Sequence, residues 1–194
     1  AINPNNATAY SNRGDDKSEL GQKQAAISDF DRAIAIDPNF AKAYLGRGVT
    51  KSELGQKQAA ISDFDRAIAI APNIAKAYLG RGITKSELGQ KQTAISDFDR
   101  AIAIDPNDTK AYLVRGIAKL ELGQKQAAIN DFDRAIAIDP NFIKAYISRG
   151  IIKSALGQKQ AAIVDLAKAA ELCRQQNQMD LYQKIIGLIK QLQK

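Results

Sequence analysis

Histidine and tryptophan are absent from the 194 residues, and cysteine and methionine occur once each. Without histidine the commonest general base and a common metal ligand are gone. A single cysteine, Cys173, allows no internal disulfide. Its place near the end of a helical stretch reads as a small buried residue rather than a reactive thiol. No nucleophile sits beside a base and no metal-ligand cluster is spaced along the chain. Enzyme chemistry, a metal and a cofactor are therefore not expected. There is no secretory signal and no apolar run long enough to span a membrane. A cytoplasmic setting is expected, with the parent protein's location open if the chain is excised from a longer one.

Proline is also scarce, but its five copies keep time: Pro4, Pro38, Pro72, Pro106 and Pro140 are 34 residues apart. Ten of the thirteen glycines follow the same beat, as Gly14, Gly48, Gly82, Gly116, Gly150 and as Gly21, Gly55, Gly89, Gly123, Gly157. Residues 41–74 and 75–108 differ at only four places: Val49/Ile83, Ala59/Thr93, Ala71/Asp105 and Ile74/Asp108. A fixed period of this length is the signature of a repeat architecture, in which each unit buries its apolar face against its neighbours.

Numbering each unit 1 to 34 places Tyr at 4, Gly at 8, Leu at 14, Gly at 15, Ala at 20, Phe at 24, Ala at 27 and Pro at 32. In residues 41–74 these are Tyr44, Gly48, Leu54, Gly55, Ala60, Phe64, Ala67 and Pro72. The pattern resembles the tetratricopeptide repeat (TPR), a helix–turn–helix unit of 34 residues. The resemblance implies an all-α, right-handed α-solenoid superhelix without catalytic activity. Two positions depart from the family in every unit. Position 7, usually Leu, is Arg13, Arg47, Arg81, Arg115 and Arg149; position 11, usually aromatic, is Lys17, Lys51, Lys85, Lys119 and Lys153.

The frame divides the chain into repeats at 7–40, 41–74, 75–108, 109–142 and 143–176, the last degenerate at its end. Residues 1–6 read as the remnant of a preceding repeat, because Ala1-Ile2-Asn3-Pro4 match positions 29–32. Residues 177–194 read as a capping helix. From Met179 to Leu192, Met179, Tyr182, Ile185, Ile186, Ile189 and Leu192 recur at helical spacing, opposite Gln183, Lys184, Lys190 and Gln191. A solenoid needs such a polar-faced end. A membrane-surface helix is the weaker alternative.

Each unit is expected to form helix A over positions 1–14 and helix B over 18–31. Asn at 33 stands where an N-cap is wanted, and Gly at 15 fits a left-handed helix end. Positions 3, 4, 7, 8, 11 and 14 of helix A form the packing face. Charged groups there need partners, so Arg at 7 is assigned to Asp at 23 of the same or the adjacent unit: Asp29, Asp63, Asp97, Asp131 and Asp165. Lys at 11 is expected to lay its stem over apolar surface and keep its ammonium wet.

Positions 2, 5, 9, 12 and 13 lie on the other face, which the resemblance makes the concave groove. Position 5 is Leu45, Leu79, Leu113 and Ile147, and position 9 is Val49, Ile83, Ile117 and Ile151. Lys42, Lys76, Lys110 and Lys144 flank them at position 2. The first unit breaks the row with Ser11, Asp15 and Ser18. Eight aliphatics in two rows either pack between neighbouring A helices or await a partner. The second reading makes this a peptide groove. The carboxylate clamp by which TPRs hold acidic chaperone tails is not matched beyond Lys at 2. The expected ligand is an apolar or amphipathic protein segment with acidic flanks. Self-association through the N-terminal end is the alternative. A formal charge of +7 allows nucleic-acid binding, but the charges are mixed in sign and the groove lacks stacking aromatics, so none is expected.

Overall fold

A computed structural model describes residues 5–193, in which every regular element is an α-helix. The run Ala1-Ile2-Asn3-Pro4, read above as the end of a preceding repeat, lies outside the described residues, as does Lys194. The chain divides into two compact bodies at residues 106 and 107. The first holds α1 (Ala7–Glu19), α2 (Lys23–Ile36), α3 (Ala41–Glu53), α4 (Lys57–Ile70), α5 (Ala75–Glu87) and α6 (Lys91–Ile104). The second holds α7 (Thr109–Glu121), α8 (Lys125–Ile138), α9 (Ile143–Ala155), α10 (Lys159–Gln175) and α11 (Met179–Leu192). Within each body successive helices pack on one another in helix–turn–helix pairs.

The repeated glycine ends each A helix. Gly21, Gly55, Gly89, Gly123 and Gly157 have φ between 75° and 79°, a conformation costly for any residue with a β-carbon. In the second repeat the Gly55 N–H donates to the Ser52 carbonyl at 3.0 Å and the Gln56 N–H to the Lys51 carbonyl at 2.9 Å. These two bonds satisfy carbonyls that the helix leaves open, as in a Schellman motif. The leucine at 14 is the C-cap. It was expected on the packing face, but the helix has already ended and Leu54, Leu88, Leu122 and Leu156 remain exposed. At the end of α10, where no proline stops the chain, Asn177 takes the left-handed role with φ 55°.

The B helices stop because proline pushes the preceding residue out of helical geometry; Asp37, before Pro38, is extended at φ −132°. Its carboxylate accepts from the Asn39 N–H at 2.9 Å, and Asp139 does the same for Asn141. Asn at 33 is thereby held inside a turn and is not the N-cap. The cap falls one residue later, at Asn6, Phe40, Ile74, Asp108 and Phe142. Only Asn6 and Asp108 close it with a side chain.

Small residues set the packing distance. A β-carbon on Gly48 would lie 2.9 Å from the Phe64 ring, and one on Gly82 would lie 2.6 Å from Phe98. Position 6 matters equally: a β-carbon on Gly46 would meet Phe30 at 2.6 Å. Phe30 is thus clasped by Gly14 of its own repeat and Gly46 of the next. Phe30, Phe64, Phe98 and Phe132 are fully buried, each contributing roughly 1.5–3 kcal/mol by transfer from water. In the last repeat Leu166 takes the ring's place. There Ile143, Leu166, Ala169, Leu172, Cys173 and Ile185 form one core, against which Tyr182, Ile186, Ile189 and Leu192 of α11 pack. The apolar face of α11 is therefore occupied. Met179, expected on that face, is exposed at the helix start. Burial raises the pKa of the Cys173 thiol.

Candidate functional site

The packing side of each A helix is pinned by charge. Arg47 Nε donates to Asp63 Oδ2 at 2.9 Å and its Nη2 to Oδ1 at 2.6 Å, a two-point bond within one repeat. Arg13–Asp29, Arg81–Asp97, Arg115–Asp131 and Arg149–Asp165 repeat it. A third donor reaches back: Arg47 Nη1 meets Asp31 of the preceding repeat at 2.5 Å, as Arg81 meets Asp65 and Arg149 meets Asp133. The guanidinium also stacks on the tyrosine at 4; for Arg47 over Tyr44 the separation is 5.5 Å.

The lysine at 11 is not solvated as expected. Lys51 binds Asp63 at 2.8 Å, and Lys17, Lys85, Lys119 and Lys153 bind their own repeat's aspartate at 2.8–2.9 Å. A carboxylate accepts on several lone pairs, so one buried aspartate satisfies both cations. The bond from Arg13 holds the Asp29 carboxyl below its usual range, against burial and with help from Lys17. For Arg81, burial alone would lower the guanidinium pKa; bonds to Asp97 and Asp65 outweigh it and the net shift is upward. Each buried aspartate is thus held by two cations of its own repeat, which fixes helix A against helix B.

A second contact joins neighbouring A helices. Ser18 and Thr50 hydroxyls lie 3.1 Å apart, and Ser52 and Thr84 lie 3.0 Å apart. Thr50 and Thr84 are buried and also donate to the carbonyls of Gly46 and Gly80. Position 12 was expected on the groove face. The clue to its role is Leu120 at 12 matched by Ile152 at 10 of the next repeat, where both hydroxyls are replaced together.

The opposite face separates the two aliphatic rows. At position 5, Leu79 and Leu113 are buried at 8% and 7% exposure, and Leu45 and Ile147 are half-buried. Ile147 packs against the core beneath α11. Position 5 therefore belongs largely to the packing of the A helices. At position 9, Val49, Ile117 and Ile151 are 38–48% exposed and Ile83 is half-buried.

The charged flanks also divide. Lys42 donates to Asn12 Oδ1 at 2.8 Å and pairs with Asp15 at 3.1 Å. Lys76, Lys110 and Lys144 are exposed, and among the described residues their ammonium groups have no hydrogen-bond or ion-pair partner. Positions 6 and 9 explain the difference: the repeat before Lys76 offers Gly46 and Val49, where the repeat before Lys42 offers Asn12 and Asp15. The glutamates at 13 turn back to the preceding repeat, Glu53 to Lys23 at 3.2 Å and Glu87 to Lys57 at 3.0 Å. In the first body a hollow of about 410 Å³ opens on this face, lined by Asp15, Lys42, Leu45, Val49, Glu53 and Lys76 among others. Among the described residues no three His, Cys, Asp or Glu side chains are placed to hold a metal ion, and no helix is long and apolar enough to cross a membrane.

No curated protein sequence matches this chain. Solved structures do. The crystal structure of MamA superposes with a TM-score of 0.78 at 28% identity, over 85% of this chain and 96% of the other. MamA residues 41 to the end from Desulfovibrio magneticus RS-1 give 0.80 at 23% identity, over 91% and 99%. YrrB, described as a TPR protein with an unusual peptide-binding site, gives 0.70 at 23% identity over 88% of each chain. Sequence models described as tetratricopeptide repeat match residues 11–75, 48–109, 79–141 and 143–176. With the family pattern met along nearly the whole chain and helix–turn–helix pairs beneath it, this chain belongs to the tetratricopeptide repeat family.

Proposed function

We propose that the chain is a protein-binding scaffold that holds an apolar or amphipathic segment of a partner against the position 9 row, with acidic flanks on the lysines. One observation carries this reading. In each body position 9 stays exposed, at Val49 in the first and at Ile117 and Ile151 in the second, on helices whose other sides are fixed by ion pairs, while among the described residues Lys76 in the first body and Lys110 and Lys144 in the second have no partner. Exposed aliphatics next to unpaired cations favour a ligand that alternates apolar and acidic groups. YrrB shows that the shared fold can carry a peptide site. Within the face, position 9 supplies contact area, Lys at 2 supplies charge, and position 5 supports both from below. Lys42 is already answered by Asp15, so the acidic groups of the ligand fall on the later lysines.

Covering one isoleucine contributes roughly 1.5–3 kcal/mol, and an aspartate in its place would have to be desolvated. The double variant Ile83→Asp, Ile117→Asp should therefore weaken capture of a binding partner by about a hundredfold or more. Circular dichroism and the unfolding midpoint should stay near wild type, because neither residue lies in the buried core. Unfolding of the variant would assign position 9 to the core. A folded variant that still holds its partner would place binding elsewhere.

A further inference from the structure

In the first body the lysine at 17 of one repeat closes on the glutamate at 13 of the next. Lys23 meets Glu53 at 3.2 Å and Lys57 meets Glu87 at 3.0 Å, and both lysine side chains are only 30–31% exposed. In the second body the pair is broken by sequence. Lys125 stands where Lys23 and Lys57 do, but Ala155 takes the place of the glutamate. Helices α8 and α9 pack on one another as α2 does on α3, so the same register holds. Lys125 and Ala155 are both exposed, and among the described residues the Lys125 ammonium has no hydrogen-bond or ion-pair partner. Both lie inside the array, between α7 and α10, so neither end of the chain creates the gap. Ile151 sits one turn before Ala155 on the same face, about 6 Å along α9, and is 48% exposed. An uncovered aliphatic side chain, a methyl group and a cation without a counter-ion thus follow one another.

We propose that an acidic side chain of the partner segment seats over Ala155 on the Lys125 ammonium, in the place that Glu53 and Glu87 fill in the first body, while a neighbouring aliphatic side chain covers Ile151. This rests on the reading of position 9 as the binding face and deepens it. Lys125, which lies on a B helix, becomes a specificity-determining residue. A neutral or basic segment would desolvate that cation without answering it, so the notch also selects against such ligands. A second copy does not supply the carboxylate from its own groove face, where Asp15, Glu53 and Glu87 are ion-paired and Glu121 has a partner. The occupant is a segment of a different protein.

The probe is a displayed library of random peptides about twelve residues long, enough in extended form to cross α9. It is selected on the intact chain, and a selected peptide is measured by fluorescence anisotropy. Binders should carry Asp or Glu close to aliphatic residues. Ala155→Glu supplies the missing carboxylate from the array itself and should weaken binding roughly tenfold, the scale of one charge-assisted hydrogen bond. Ala155→Gln fills the same space without the charge and should stay within about threefold of wild type. Lys125→Ala should match the loss seen with Ala155→Glu. Changing the peptide's acid to its amide should cost as much on wild type and nothing further on Ala155→Glu. Circular dichroism should be unchanged for both Ala155 variants, since Glu holds that position in the other four repeats. Equal loss with Gln and Glu, unchanged affinity for Lys125→Ala, or binders without acidic residues would each overturn the proposal. A peptide that ignores Ala155→Glu but is lost on Ile117→Asp would overturn it and leave the position 9 reading standing. A peptide that ignores both, or a selection that yields none, would overturn both. Self-association of the chain that Ala155→Glu abolishes would overturn the assignment of the occupant and make it a second copy.

Discussion

The two bodies are built from the same helix pair and differ in what joins one pair to the next. In the first, neighbouring A helices meet through Ser18–Thr50 and Ser52–Thr84 hydroxyl contacts. In the second, the same positions carry Ala118, Leu120 and Ile152, and Ile152 is buried at 1% exposure. The ends differ more. At the last repeat, α10 runs to 17 residues and α11 closes the core with Ile185 at 1% exposure. At α1 the Arg13 side chain is 41% exposed, and among the described residues the buried hydroxyl of Ser11 has no hydrogen-bond partner. A repeat's internal fold thus tolerates polar or apolar joints between neighbouring A helices.

The largest expected effect falls on the covered end. Ile185→Ala removes the buried centre of the α10–α11 contact and should cost about 2–5 kcal/mol in denaturant unfolding, the range for large-to-small core changes. A midpoint within error of wild type would mean that α11 does not cap the second body. Next comes the charge network. Arg81→Ala strands Asp97 between one remaining lysine and the core, and should cost on the order of 2–4 kcal/mol. Arg13→Ala should cost less, because Arg13 is more exposed and answers one carboxylate instead of two. Equal losses would show that the aspartate supplied by the preceding repeat adds nothing.

Acid sharpens the same contrast through Asp29. Its folded pKa is depressed, so its contribution is fully present above the unfolded value of about 3.9 and is lost as pH falls through the folded value. Asp29→Asn should destabilise the chain at neutral pH, and the gap to wild type should close as urea midpoints are measured below about pH 4. A gap that persists at low pH would mean the loss is one of shape rather than charge. The smallest effect has the opposite sign. Ser11→Ala removes a buried hydroxyl without a partner and should stabilise the chain by about 1 kcal/mol. A loss of stability would reveal a bond that the hydroxyl makes in solution.

Much of this was legible before any coordinates. The period of 34 residues, the helix pairs, the left-handed glycines, the Arg–Asp pairing and the closing helix follow from residue types recurring at fixed spacing. Helical periodicity, glycine's conformational freedom and the cost of a buried charge are local rules that act the same way in every repeat. The sequence reading and the structure part where two groups share one partner or one space. Lys at 11 read as solvated because its aspartate had been given to arginine, and only three dimensions show one carboxylate serving both. Asn at 33 read as a cap because the preceding Asp–Pro turn that claims its N–H depends on backbone geometry.

The division of the groove was decided in the same way. Leu79 and Ile83 share one helix face by angle, and nothing in their spacing distinguishes them. Residue order and composition determined which face of each A helix is apolar and which is charged, because 3.6 residues make a turn wherever the helix lies. Only tertiary structure decided that position 5 is consumed between helices while position 9 is left outside, and that Asp15 answers Lys42 while Lys76 waits. The division of the two rows depends on how closely neighbouring repeats approach, a distance set by Gly46 and Gly80 against phenylalanine rings from another repeat; the fate of each lysine depends on whether the preceding repeat holds Asn12 and Asp15 or Gly46 and Val49 within its reach.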